Sequence, residues 1–373
     1  MINRKFFCLL VVTGLFVAGC DRDQQENDPS GQESFDRASL LTNVADNIVL
    51  PRYADFQANV GALYIATQEF SSNASETTLL ELQTAWRSAS LSWQRCAMFE
   101  FGPAGDRFMQ VSTNVFPVDT EQLEANVELG EYDFGAANNL ATKGFPGLDY
   151  LLFGDELAIT VESFSTAPNA TNRITYLTDI VEHLKTNADG IVSDWNSGYR
   201  DQFVGNTGTD SGSSLSILLN AFNQSYEAVT RTQKLGFPSG AITFSGTPLP
   251  DHVEAYYEGQ SNVSFIRESV IAFEDLYLGT SEDGSAGVGL DDYLNHLEST
   301  YNGQSLNTAI EAQIDEVLTA VDLLQDPLAE FVESDNPTCI ATYAEMQQLV
   351  VFWKVDMMSS LGVLVTYQDN DGD

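Results

Sequence analysis

Histidine is nearly missing from this chain: His183, His252 and His296 are the only three among 373 residues. None has a second His or a Glu at the spacing that places two ligands on one helix face, so a zincin site is excluded. A Gly-x-Ser-x-Gly elbow, a phosphate loop and a complete Gly-x-Gly-x-x-Gly opening a helix are also absent, which removes the usual support for hydrolase, kinase and dinucleotide readings. Positive charge is scarce, with 16 Lys and Arg against 54 Asp and Glu and a net charge of -38. Nucleic acid and anionic membrane surfaces are therefore poor partners. Such acidity can attract cations or cationic ligands, or can simply solvate a surface in salty surroundings. The even spread of the acids along the chain favours the second reading. Carboxylate pairs are too numerous for any one to stand out as an acid/base pair.

Long apolar runs are lacking too, apart from residues 6–18, which follow Arg4 and Lys5 and precede Gly19-Cys20. That basic, apolar, small-residue order is a secretory signal, too short for a comfortable membrane span. Val17-Ala18-Gly19-Cys20 resembles a bacterial lipobox, in which cleavage precedes a lipidated cysteine. The expectation is a signal peptide over 1–19 and a lipid anchor on Cys20, holding the chain to a membrane of the cell envelope, at the outer membrane or a periplasmic face. Residues 20–34 read as a flexible tether, polar and containing Pro29 and Gly31. Loss of 1–19 removes Arg4 and Lys5 and no acid, taking the net charge to about -40.

Four cysteines leave little for disulfide chemistry. With Cys8 in the signal and Cys20 lipidated, Cys96 and Cys339 remain, either paired across the chain in an oxidising compartment or buried as two thiols. The tail Asp369-Asn-Asp-Gly-Asp373 has carboxylates spaced like the start of a calcium loop. It lacks the later ligand, so a frayed acidic terminus is expected.

What is present is helical periodicity. Apolar residues recur three and four apart over about 39–70, with Pro51 as a kink, then over 76–98 after an Asn73 to Glu76 capping spacing, and over 171–195. The pattern resumes over 214–234, 261–277 and 306–324, and in the stripe Met346, Leu349, Val350, Trp353, Met357, Leu361, Leu364. Strand alternation is confined to about 241–244. Gly and Ser crowd 205–214 and 279–289, marking loops. The first sets the expected boundary between bundles at 35–204 and 205–373. Lys143-Gly-Phe-Pro-Gly147 and Lys234-Leu-Gly-Phe-Pro-Ser-Gly240 echo each other, one per half, which a duplication or chance would explain.

Gly144-Phe-Pro-Gly-Leu-Asp-Tyr-Leu-Leu-Phe153 resembles the signature segment of the imelysin family, cell-envelope proteins that include insulin-cleaving membrane proteases and iron-regulated proteins. The likeness extends upstream through Trp86, Trp93, Phe99-Glu-Phe-Gly-Pro103 and Asn114-Val-Phe-Pro-Val-Asp119. Downstream it takes in Lys234-Leu-Gly-Phe-Pro, Val253-Glu254 with Ser261, Lys354-Val-Asp356 and Leu361-Gly362.

The resemblance implies an all-α fold of two helical-bundle domains, a pseudo-duplicated pair of four-helix bundles, with a site in the cleft between them. The family's hallmark Gly-x-His-x-x-Glu has Pro146 and Asp149 in the places of His and Glu. Proline offers no metal ligand and favours a helix's first turn, so the His-dependent metallopeptidase mechanism is not available. Asp149 can still hold a hard cation through oxygen, with Tyr150 beside it, or act as a cap or ion-pair partner. Asn114, Asp119, Glu254, Ser261, Lys354 and Asp356 complete the expected ligand-binding set; Lys354 and Asp356, two apart on a helix, do not face each other. Trp86, Trp93, Phe99 and Phe101 read as core.

The leading expectation is a non-enzymatic binding protein for iron or another metal or small molecule. Its alternatives are a peptidase or other hydrolase with a non-His catalytic group, and a lipoprotein presenting a surface to another envelope protein. Cys20→Ala is expected to shift the chain from the membrane fraction to the aqueous phase of a detergent partition. An unchanged membrane fraction contradicts the anchor.

Overall fold

Helices form at every stretch where apolar residues recur at three and four, in a computed structural model that describes residues 34–243 and 245–367. The signal segment 1–19, Cys20, residues 20–33 of the tether and the acidic tail 369–373 lie outside the described residues. Contacts divide the chain into Met1–Phe35 and Asp36–Asp373, and the second unit holds all the described helices. It is all-α: among the described residues the only paired strands are Thr300–Tyr301 and Gln304–Ser305, a two-residue antiparallel ladder. No helix among the described residues is long and apolar enough to cross a membrane.

The first long helix, α1, is Leu50–Ser72, entered from Arg37–Asn43 through a π-helical turn, Val44–Val49. Pro51 explains that turn: its missing N–H and its ring cannot sit in an α-helical ladder, and a wider turn just ahead of it absorbs the break where a kink was expected. Helix α2, Glu76–Cys96, packs along α1. Its cap is Ser75, which exchanges bonds with Thr78, while Asn73 closes the preceding helix, so the expected Asn73 to Glu76 box is shifted. Helix α3 is Gly144–Phe153 and α4 is Ala170–Asp194, the latter packed on α1.

A loop over 206–213, where the boundary was expected, leads to α5, Ser214–Gln224, which runs on as a π-helical stretch Ser225–Gly236. Residues 241–243, expected as a strand, form a turn and a bend. Helices α6 (Asn262–Tyr277), α7 (Leu306–Val321) and α8 (Asn336–Val350) follow, α8 continuing through a π-helical Val351–Met357. The last apolar stripe is buried from Met346 to Leu361, but Leu364 lies past the helix and is exposed.

Aromatic residues fill both halves. Phe56 meets Trp93 at 5.5 Å and Trp86 meets Phe153 at 5.2 Å; Phe99 and Phe101 are buried with them. In the second half Trp353 contacts Phe222 and Tyr226, each at 4.7 Å. The halves join where α2 lies against α6, with Trp86 reaching Phe265 at 6.3 Å. Cys96 and Cys339 are both free and buried, so the disulfide alternative gives way to two core thiols. Burial pushes the Cys339 thiol up to about 12 and that of Cys96 higher still, so neither ionises at neutral pH.

A chain of ion pairs runs beside the α2–α6 contact. Arg52, 1% exposed, bonds the Ala272 carbonyl and pairs with Asp275 at 2.9 Å and Glu282 at 2.7 Å. Arg95 pairs with Glu268 at 2.6 Å and also with Glu282. Both arginines come from the first half and all the acids from the second. Removing one partner of a buried pair leaves the other uncompensated, which costs about 3 kcal/mol or more. Arg52→Leu is therefore expected to lower unfolding free energy by about 3 kcal/mol in urea. A loss well under 1 kcal/mol would show that the pairs do not hold the halves together.

Candidate functional site

Helix α3 starts in a way the sequence dictates. Gly144 adopts φ +65°, and a Cβ there would collide with the Thr113 carbonyl, so only glycine fits. Pro146 sits in the first turn, where its lack of an N–H removes a donor that would have no intrahelical acceptor. The helix then carries Asp149, 2% exposed, to face the 253–260 loop of the second half. Each carboxylate oxygen accepts a main-chain N–H from that loop: Oδ2 from Tyr257 at 3.0 Å and Oδ1 from Glu258 at 2.9 Å.

The loop is secured at further points. Glu258 is itself buried, pairing with Arg87 of α2 at 2.7 Å and accepting from the Gln260 N–H at 2.9 Å. Ala255 is held at φ +55°, a conformation that costs a non-glycine residue roughly 1 kcal/mol. Its carbonyl accepts from the Gly259 N–H at 2.9 Å and from the Asn262 side chain at 3.0 Å. Beneath lies a buried polar cluster. Glu254 accepts from Gln94 at 3.0 Å and Asn114 at 2.6 Å, both of the first half, and pairs with Lys234 of the second. Lys234 also donates to Gln94 at 2.7 Å. Burial depresses the Lys234 ammonium below its usual range, and the Glu254 contact opposes that fall.

Between α3 and the loop is a cavity of about 260 Å³. The first half contributes Phe116, Pro117, Val118, Thr120, Pro146 and Asp149; the second contributes Asp251, Val253, Ala255, Tyr256 and Tyr257. Neither histidine nor any Lys or Arg is in its wall. Burial pushes the Asp149 carboxyl up to about 7; the two N–H bonds act the other way, and Glu258 and Glu254 nearby add to the rise.

Of the residues expected to bind a ligand, Asp149 alone lines the cavity. Asn114 and Glu254 are brought together, but in the buried cluster behind it. Tyr150 bonds Glu124 at 2.9 Å and packs on Tyr257 at 5.2 Å. Asp119 is exposed and caps the helix Thr120–Leu129 by accepting from the Gln122 N–H. Ser261 precedes α6 without a side-chain cap bond. Lys354 pairs with Glu227 at 3.0 Å, and neither it nor the half-buried Asp356 lines the cavity.

A resident metal centre does not fit these residues. Asp149, expected as a cation ligand, has both oxygens on main-chain N–H groups. Among the described residues no group of three or more His, Cys, Asp or Glu side chains could hold an ion.

Sequence reasoning missed Gln94, Arg87, Glu258, Asp251 and the two tyrosines. The echo of Lys143 in Lys234 was a usable signal, since both lysines are buried. Lys143 donates to the Phe134 carbonyl at 2.6 Å.

The fold is thus that of an all-α protein in which helices of the first and second halves of the chain meet across α2 and α6, with a small cavity lined by residues of both. The chain belongs to the imelysin family: the family's sequence profile (peptidase M75, imelysin) matches residues 49–350. It is 24% identical to iron-regulated protein A of Synechococcus elongatus over 271 residues, which is 68% of each chain. Two crystal structures share its fold. One is a candidate iron-regulated protein A precursor from Parabacteroides distasonis, with TM-score 0.69 and 18% identity over 88% of this chain and 97% of that one. The other is an imelysin-like protein from Psychrobacter arcticum, with TM-score 0.66 and 17% identity over 89% and 97%.

The raised Asp149 carboxyl sets a pH dependence. Because its folded pKa lies above its unfolded value near 4, folding takes up a proton between the two. The resulting stability is full below about pH 4 and is lost as pH rises through about 7. Asp149→Asn cannot titrate, and its single oxygen faces two N–H donors. It is expected to cost about 1–3 kcal/mol at pH 8 and to flatten the slope of stability between pH 4 and 7, read from urea denaturation at several pH values. An unchanged slope would place the titration elsewhere.

Proposed function

We propose that this chain is a non-enzymatic imelysin-family binding protein of the cell envelope, tethered through Cys20, that captures a small ligand in the seam cavity in support of iron or other metal acquisition. The observation that carries this reading is the state of the family signature: Pro146 and Asp149 form a wall of the cavity and supply neither an imidazole nor an uncommitted carboxylate. A wall built that way holds a molecule; it does not activate water on a metal. The iron connection comes from the relatives' names.

Cavity size narrows the ligand. Pockets that enclose drug-sized molecules span roughly 300–1,000 Å³. At about 260 Å³ this one suits a compact ligand, and a macrocycle such as haem would stay largely outside. Calorimetry on the full chain in mild detergent, with ferric and ferrous ions, zinc, haem and small organic molecules, is expected to find saturable binding of a compact ligand. Thr120→Trp, which fills the cavity, is expected to abolish it. Binding no tighter than to denatured chain, for every ligand, overturns the reading.

One observation favours a hydrolase instead. A carboxyl near neutral pKa in a cavity wall is suited to general acid/base work. Hydrolysis of unfolded polypeptide with a pH profile breaking near 7, abolished by Asp149→Asn, would establish it.

A further inference from the structure

We propose that the seam cavity selects ligands bearing an organic cation, an ammonium or guanidinium group, recognised by aromatic faces and the Asp251 carboxylate and not by metal-type oxygen coordination. This rests on the reading of the cavity as a binding site and specifies its ligand class.

Three features of the wall converge on this chemistry. Three aromatic residues contribute to it, Phe116, Tyr256 and Tyr257, the two tyrosines meeting nearly edge to face with centroids 5.1 Å apart. Tyr256 is 43% exposed, a large aromatic side chain of the wall with much of its surface in water. Aromatic faces carry negative quadrupole charge and attract cations, most strongly when these are weakly hydrated organic ones. Asp251 is exposed in the same wall, and among the described residues its carboxylate has no hydrogen-bond or ion-pair partner. It differs in this from Asp149, whose oxygens are both occupied.

The third feature is the sign of the surroundings. The nearby lysines face other groups: Lys234 is buried with Glu254 behind the wall, and Lys143 is turned to the Phe134 carbonyl. An anionic ligand such as a carboxylate chelate would meet Asp149 and Asp251 with no lining cation to compensate. A bare metal ion would find one uncommitted carboxylate, too few hard ligands to replace its water.

The test is titration of the full chain in mild detergent with tetramethylammonium, choline and agmatine, against citrate and ferric citrate as anionic probes and ferrous ion as a metal probe, followed by calorimetry. The organic cations are expected to bind and the anions not. Asp251→Asn is expected to weaken cation binding about fivefold. Tyr256→Leu should weaken it about fivefold to tenfold, whereas Tyr256→Phe, which keeps the ring face, should leave it within about twofold. Both sites are exposed, so the variants fold, and circular dichroism checks this. Binding of citrate, ferric citrate or ferrous ion without the organic cations overturns the ligand class and leaves the cavity a binding site. Binding of no probe, with the native chain equally silent towards the wider ligand set, overturns both.

Discussion

Two hydrogen bonds to one carboxylate hold the seam in its present form. Asp149, at the second turn of a helix in the first half, takes the N–H groups of Tyr257 and Glu258 from a loop of the second half. Those amides are on the segment that forms one wall of the cavity, so the cavity's shape depends on the bond pair. Orphaned buried N–H groups cost roughly 1–3 kcal/mol each, which makes this contact large beside the net stability of a domain. The Arg87 and Glu258 pair and the Glu254 cluster reinforce the same loop from either side.

That arrangement also gives the 144–153 helix an architectural role. Pro146 sits in its first turn and Asp149 docks a loop of the second half, so both contribute to the form of the seam. Asp251, Thr120 and the aromatic side chains make up other parts of the cavity wall. The raised Asp149 carboxyl follows from the same geometry, because a charge enclosed between two packed halves loses water that two N–H donors only partly replace.

Helical periodicity made the fold legible, because a buried face repeats locally: Trp86 and Trp93 are seven apart on α2 and both are buried. Local chemistry was less exact at the ends, as Ser75 took the cap expected of Asn73 and Leu364 fell beyond its helix. The π-helical turns were not legible, since they arise from tertiary fit around features such as Pro51. The site was legible only in part. Family likeness put Asn114 and Glu254 in the same expected set, but not their bond to each other across 140 residues. Asp251 and Tyr256 carried no sequence signal, because an exposed acid and an exposed tyrosine look alike on any surface until the fold places them around a cavity. Lys354 misled for the converse reason: its place in the downstream likeness said nothing of Glu227, the partner that holds it elsewhere.

If the carboxylate at 149 clamps the cavity wall through two main-chain amides, amide hydrogen exchange at Tyr257 and Glu258 reads the clamp directly. Strong protection in the native chain, reduced by a factor of about ten or more in Asp149→Ala while α1 and α7 amides stay protected, is the predicted result. Exchange at Tyr257 and Glu258 as rapid in the native chain as in the exposed 283–285 turn would contradict the clamp.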